Sequence, residues 1–374
     1  MVEGGSLMPY ELAIHLSKMG VEVEVLTYNF DVSKGVFINK FKKEENFNNL
    51  KIKRYTPMIL KIFNPEPFSF KLLYDFYKKA LRTDIVHLFN FYHFPTLVPL
   101  ILICRIIKKP IIFTPATIHE CIRLLKEKRR YFLLVPILFL IRKLVKNLVV
   151  TTKTHIKFLR KLGFTKNNLY IVPCGIEVSR FRCNIQRKNP NLLLSVGRFE
   201  WNKGQDILLK AFRRVVTKRP EAKLIIAGHI TNYNIFKEVL LLKGKLNLNK
   251  NVKVLPDISN KKLVNLYKKS SIFILSSIIE DFGIVNLEAM AAGLPVIASD
   301  VGGVSSVVQN KKTGFLFESG NVEKLSNLIL KLLEDYKLRE RMAKNSIKYV
   351  RRFDWKLVSK KMVKTYQSVI QEIL

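Results

Sequence analysis

Two carboxylates eight positions apart, Glu280 and Glu288, interrupt an otherwise small and apolar stretch, IIEDFGIVNLEAMAAGLPV at 278–296. The β-like run SIFILS (271–276) precedes it, the turn IIEDFG carries Glu280, and IVNLEAMAA reads as a helix stopped by Gly293 and Pro295. A strand, a loop and a helix start in that order present free N–H groups and the positive end of the helix dipole, which favours phosphate. Glu280, ahead of the helix, is placed to accept hydrogen bonds from hydroxyls, and Glu288, within it, to take a vicinal diol with its two oxygens. Hydroxyls at two places with phosphate between them describe a sugar nucleotide.

Such a ligand requires cations, and SVGRFEWNKG offers two. Arg198 follows the run LLLSVG (192–197), and Lys203 comes five residues later, before Gly204 and the amphipathic segment QDILLKAFRRVV. Fixed cations at a strand end, with glycines permitting close approach, suit a diphosphate. Either residue alone reads as a solvated surface charge; the combination with the two glutamates gives the reading its specificity.

The elements that position these groups alternate short β-branched runs with helix-length amphipathic segments, the pattern of parallel sheets with crossover helices. Strands are expected at 21–27, 51–56, 84–89, 110–114, 148–152 and 170–173, then at 192–197, 223–228, 252–255, 271–276, 295–299 and 314–317. The fold class is therefore α/β, with two doubly wound Rossmann-like domains facing a cleft, the default ligand site for such sheets. A chain of 374 residues exceeds what one core organises, which agrees with two domains. The aperiodic stretch 174–190 separates them, giving a first domain at 1–175 and a second at 176–354. A doubly wound domain normally opens with a strand, whereas Gly4, Gly5 and the helix-like MPYELAIHLSKMG follow Met1 at once. A first N-terminal strand is therefore expected to be missing, leaving backbone groups unpaired.

Composition narrows the partners. With 48% hydrophobic residues and no low-complexity tract, the chain is globular. The 65 Lys+Arg against 29 Asp+Glu give a formal charge of +36, which points to an anionic neighbour or to lysine-rich usage without functional meaning. Nucleic acid, an anionic membrane surface and phosphorylated substrates all fit bulk charge; no platform of aromatics interleaved with Arg favours nucleic acid, and none is expected as partner. Residues 121–147 place eight Lys/Arg and one Glu around the apolar run YFLLVPILFLI, which is too short to span a bilayer. This stretch reads either as a basic membrane-resting segment or as a buried helix. Four cysteines lack a CxxC pair and no secretory signal is visible, so free thiols and a cytoplasmic location are expected, either free in the cytoplasm or peripheral at the inner membrane face.

The segments VGRFEWNKGQDILLKAF, KLIIAG and IEDFGIVNLEAMAAGLPVIASDVGG closely resemble the nucleotide-binding half of retaining glycosyltransferases of the GT-B architecture, the glycosyl transferases group 1 (family 4) superfamily. The resemblance is strong over about 190–335 and looser over 1–190, where GGSLMPYELAIHLSKMGVEVEVLT, DIVHLFN and IVPCGIEVSRF carry it. It implies a hexosyl transfer from a UDP- or GDP-linked sugar to a hydroxyl of a glycan or lipid-linked acceptor. By it, Glu288 holds the ribose, Glu280 lies by the donor sugar and diphosphate, and Arg198 and Lys203 stabilise the leaving diphosphate. Gly4, Gly5, Gly197, Gly228, Phe282, Gly283 and Ile284 join the donor site, with Gly302 and Gly303 lining the same cleft. No Asp-x-Asp pair is present, so neither a metal nor another cofactor is expected beyond the donor substrate itself. The resemblance also implies that the last helix, 355–374, packs on the first domain. Two positions depart from the pattern. His119 lies five residues past Thr114, with Ala116 in the nearer slot, and reads either as a donor-contacting catalytic group or as a surface loop residue; Ser305 and Ser306 replace the usual Pro-Glu. The alternative function is a catalytically inactive GT-B scaffold, or a basic binding protein for anionic partners.

Overall fold

The computed structural model describes residues 4–31, 36–37, 41–60, 66–89, 94–115 and 134–372. The chain divides into two units, Met1–Gly175 with Trp355–Leu374, and Ile176–Asp354.

In chain order the first unit contains α1 (Gly4–Ser17), β1 (Val23–Tyr28), β2 (Phe30–Asp31), β3 (Val36–Phe37), β4 (Glu44–Phe47), β5 (Leu50–Tyr55), β6 (Met58–Leu60) and β7 (Glu66–Phe68). There follow α2 (Phe70–Arg82), β8 (Val86–Phe89), α3 (Phe94–Ile106), β9 (Ile111–Thr114), α4 (Leu134–Leu144), β10 (Asn147–Val150), α5 (Lys153–Lys161) and β11 (Asn168–Ile171). The described strands form two main sheets, β1-β5-β4 and β11-β10-β9-β8, so β1 and β8 each stand at an edge. β1 pairs with β5 in parallel, whereas β4 folds back antiparallel on β5. Under the second sheet Val86, Leu88, Phe113, Leu148 and Val150 pack with Ile101 and Leu159, and Leu26 of β1 reaches the same core. Gly4 and Gly5 form the first turn of α1 rather than a loop, a register that lets Leu12 and Leu16 bury below 5% exposure.

The second unit contains α6 (Val178–Phe181), β12 (Leu192–Val196), α7 (Gln205–Lys218), β13 (Lys223–Gly228), α8 (Tyr233–Lys245), β14 (Val252–Pro256), α9 (Asn260–Lys269), β15 (Ile272–Leu275), α10 (Ile284–Ala291), β16 (Val296–Ser299), β17 (Gly314–Phe317), α11 (Val322–Glu334) and α12 (Tyr336–Val350). Its six strands form one sheet in the order β14-β13-β12-β15-β16-β17, every pairing parallel. β15 and β16 are buried along their whole length, as expected of a sheet covered on both faces. Ile207, Leu208, Phe212 and Val215 of α7 and Leu325, Ile329 and Leu332 of α11 close its core.

The closing helix, α13 (Trp355–Gln371), belongs to the first unit, where it packs on α1 and β9. Trp355 stacks on His15 with ring centroids 5.4 Å apart. Within the sheet, His87 of β8 bonds Tyr366 Oη through Nδ1 and Thr114 Oγ1 through Nε2, both at 2.7 Å. Burial pulls the His87 imidazole down to about 3, so it sits there neutral, one ring nitrogen donating and the other accepting.

Candidate functional site

In the second unit the chain leaves β12 toward β13 and β14 on one side, and returns to the other side of β12 as β15. The carboxyl ends of β12 and β15 therefore form the point where strand order reverses, the place at which open α/β sheets bind ligands. Leu193 and Leu194 pair with Ile272 and Phe273, which brings the two following loops side by side.

Backbone packing fixes these loops. A Cβ at Gly228 would lie 1.8 Å from the carbonyl oxygen of Gly197, so the ends of β12 and β13 approach as only glycine allows. Gly204 has φ +60°, and a Cβ there would meet the Ser276 carbonyl oxygen at 2.2 Å. Ser276 Oγ donates to the Gly204 carbonyl at 2.8 Å, and Ile278 N to the Asn202 carbonyl at 2.7 Å, zipping the loop after β15 to the loop after β12.

Onto this frame the structure brings Arg198, Lys203 and Glu280. Lys203 Nζ lies 2.9 Å from Glu280 Oε2, with the two side chains only 14% and 15% exposed. Ser277 Oγ donates to the same oxygen at 3.4 Å. Arg198 Nη2 pairs with Glu200 Oε2 at 3.1 Å and remains 42% exposed, while Gln205 Nε2 holds the Arg198 carbonyl at 2.8 Å. The sequence places both cations toward phosphate; in the structure each is matched by a carboxylate, Lys203 by Glu280 and Arg198 by Glu200. Gly303 N donates to the Glu280 carbonyl at 3.4 Å, which joins the Gly302–Gly303 turn to the same loop.

The turn then enters α10 through Gly283, an N-cap in left-handed conformation without a side-chain cap. Phe282 turns its ring inward, 5% exposed and edge-on to Phe353 at 6.3 Å, so what it offers a ligand is its backbone. Glu288 Oε2 accepts from Tyr267 Oη at 2.8 Å. Burial pushes the Glu288 carboxyl above the usual range, while the Tyr267 hydrogen bond and the field of Arg180 pull it back. Tyr267 is wholly buried on α9, and Lys188 Nζ caps that helix by donating to the carbonyls of Tyr267 at 2.9 Å and Lys268 at 3.1 Å.

Lys188 carries a pH signature. Burial pulls its ammonium down to about 8, against an unfolded value of about 10.4. Between those values the unfolded chain holds more protons than the folded one, so stability contributed at this position rises with pH through the window and is lowest below 8. The melting temperature of the parent minus that of Lys188→Met is expected to increase from pH 7.5 to pH 10 in paired thermal melts; a flat difference would rule out a buried charge there.

Gly4 and Gly5 lie in the first unit at the start of α1, and His119 and Ala116 lie outside the described residues. Asn286, in the first turn of α10, is fully buried with both carboxamide atoms unpartnered among the described residues. Sequence reasoning missed it, as it missed Tyr267: Asn286 is an uncharged residue beside the more conspicuous Glu288, and Tyr267 lies 21 positions from the carboxylate it serves.

A pair of Rossmann-like units, one with cations and carboxylates gathered at its switch point, defines the class of GT-B glycosyltransferases. The family model described as Glycosyl transferases group 1 matches residues 179–349, and that described as Glycosyltransferase Family 4 matches 2–180; the chain belongs to this family of glycosyltransferases. An uncharacterised glycosyltransferase of Methanocaldococcus jannaschii is 30% identical over 197 residues, 52% of this chain and 50% of that protein. The chain thus spans about half the length of the curated relatives it matches. Sucrose-phosphate synthase from Thermosynechococcus elongatus superposes with TM-score 0.77 at 20% identity, covering 99% of this chain and 94% of that one. Anabaena HepE, in complex with UDP and glucose, gives 0.75 at 18% identity with 98% of each chain covered. At these identities the two structures establish the fold.

Proposed function

We propose that this chain transfers a hexosyl group from a UDP- or GDP-linked sugar to a hydroxyl of a glycan or lipid-linked acceptor, with retention of configuration and without a metal or other cofactor. The observation that carries this is the part-buried Lys203–Glu280 pair at the switch point, with Arg198 beside it and the uncapped start of α10 following. HepE, of the same fold, is a UDP complex, which supports a nucleotide-sugar donor.

In the reaction the bond between the anomeric carbon and the diphosphate oxygen breaks, its electron pair leaving with the nucleoside diphosphate. The acceptor oxygen bonds the same carbon on the same face, and its proton passes to the departing phosphate oxygen. Arg198 and Lys203 stabilise the negative charge that develops on that oxygen, the task a metal ion performs elsewhere. Lys203 turning to the diphosphate frees Glu280 to accept from the sugar hydroxyls, and Glu288 accepts from the ribose. A lipid-linked acceptor would bring the chain to an anionic membrane surface as a peripheral protein.

Calorimetric titration with UDP, GDP and ADP tests the donor site. One of UDP or GDP is expected to bind, and Glu288→Ala to weaken it about tenfold, the loss of two hydrogen bonds from a diol. Binding by none of the three, or equal binding by parent and variant, sinks the assignment and leaves the inactive scaffold as the reading.

A further inference from the structure

Among the described residues no helix is long and apolar enough to cross a membrane, yet three neighbouring helices of the first unit turn apolar side chains outward. α2 packs on α3, and α3 on α4. On α2, Leu72, Phe76 and Ala80 face the core. Phe70, Tyr74, Tyr77 and Leu81, spaced four, three and four, are 70%, 58%, 45% and 52% exposed. At about 100° per residue these four fall within an arc of about 60°. Lys71, Lys78 and Arg82 are exposed and run along one flank of that arc, with Lys78 Nζ 4.3 Å from the Tyr74 ring centroid. Asp75, the single acid of the helix, is neutralised by Lys53 at 2.9 Å.

The adjoining helices continue the theme. α3 exposes Leu102 and Ile106, the latter at 79%. α4 exposes Phe139, with Arg142 and Lys143 each 4.7 Å from its ring centroid.

We infer that the outer face of α2 docks on an anionic lipid surface, its aromatic stripe at the boundary between headgroups and acyl chains and its basic flank on the phosphates. Tyr and Phe beside Lys and Arg are the side chains that partition to that boundary, apolar body inward and charge toward water. Charge complementarity selects lipid over a second copy of the chain, since self-association would set a net charge of +36 against +36 and bring two basic flanks together. The inference rests on the proposed lipid-linked acceptor for its purpose, and it centres the contact on α2.

Flotation of the purified chain with phosphatidylcholine vesicles, with and without about 30% phosphatidylglycerol at about 0.1 M salt, tests it. The chain is expected to float with the anionic vesicles alone. Tyr74→Ser with Tyr77→Ser, and separately Lys71→Glu with Lys78→Glu, should each lower binding about tenfold or more. Tyr77→Trp should shift its emission to the blue on adding anionic vesicles. Undiminished flotation of both double variants, or an unshifted Trp at position 77, overturns the proposal and moves any lipid contact elsewhere; a dimer in light scattering that the same variants dissolve overturns it in favour of self-association. UDP and GDP titrations on the same samples keep the two readings apart, since lost vesicle binding with intact nucleotide binding touches the docking face alone, and lost nucleotide binding in the parent touches the catalytic reading alone.

Discussion

Replacing Lys203 by alanine is expected to lower the rate of nucleotide release from the donor sugar by about 10²–10³, the range seen when one fixed stabiliser of a developing oxyanion is removed. The ammonium is in place before any charge develops: donor binding turns Nζ from Glu280, 2.9 Å away in the free protein, to the diphosphate, while the loop carrying it stays pinned through Ser276 and Ile278. A prepositioned cation of low exposure acts in a weaker dielectric than water and needs no reorganisation during reaction. The substitution also strands the Glu280 carboxylate, which by itself destabilises the fold. Lys203→Met with Glu280→Gln removes both charges at nearly constant volume and separates the two effects. That double variant should melt close to the parent while remaining inactive, whereas a rate within threefold of the parent in either variant would remove Lys203 from the mechanism.

Gly228→Ala should lower the melting temperature of the second unit by about 5–10 °C, from an overpacking cost of about 2–3 kcal/mol. The added methyl would meet the Gly197 carbonyl at 1.8 Å, and its nearest neighbours are all backbone atoms, so no side chain can swing aside. Relief requires the ends of β12 and β13 to part where Gly197 N donates to the Ala227 carbonyl at 3.0 Å and Phe199 N to the His229 carbonyl at 2.8 Å. Arg198 lies between those two bonds, so activity should fall with stability. Gly244→Ala is the opposing control: it sits in α8 with nothing within 4 Å of the new methyl, and helix propensity there should raise the melting temperature slightly. Two alanine variants moving in the same direction would contradict the packing argument.

The sequence was most informative where local pattern and tertiary role coincide. SIFILS and PVIAS are continuous apolar runs because β15 and β16 are covered on both faces, and they appear as strands within a residue or two of their expected bounds. β4 carried no such signal: its EENF lies at a half-solvated edge, where nothing forces alternation. The helical start at Gly4 escaped the reading because paired glycines favour loops, and burial along α1 outweighs that preference. At the site, residue types and spacing singled out Lys203 and Glu280 as candidates without showing that they pair. Lys203 and Glu280 stand 77 positions apart, and only the pairing of β12 with β15 brings them together. Phe282 shared the motif's promise, yet an aromatic ring beside Phe353 gains more from burial than from exposure.

The first unit is assembled from both ends of the chain, with Ile176–Asp354 inserted between its parts. During synthesis at about 5–20 residues per second, the second unit emerges whole while the first waits on the order of ten seconds or more for α13. Through that interval His87 lacks Tyr366, His15 lacks Trp355, and the surfaces that α13 covers stand open to a chaperone or protease. A lesion that removes residues 355–374 would therefore spare the second unit and cripple the unit made first.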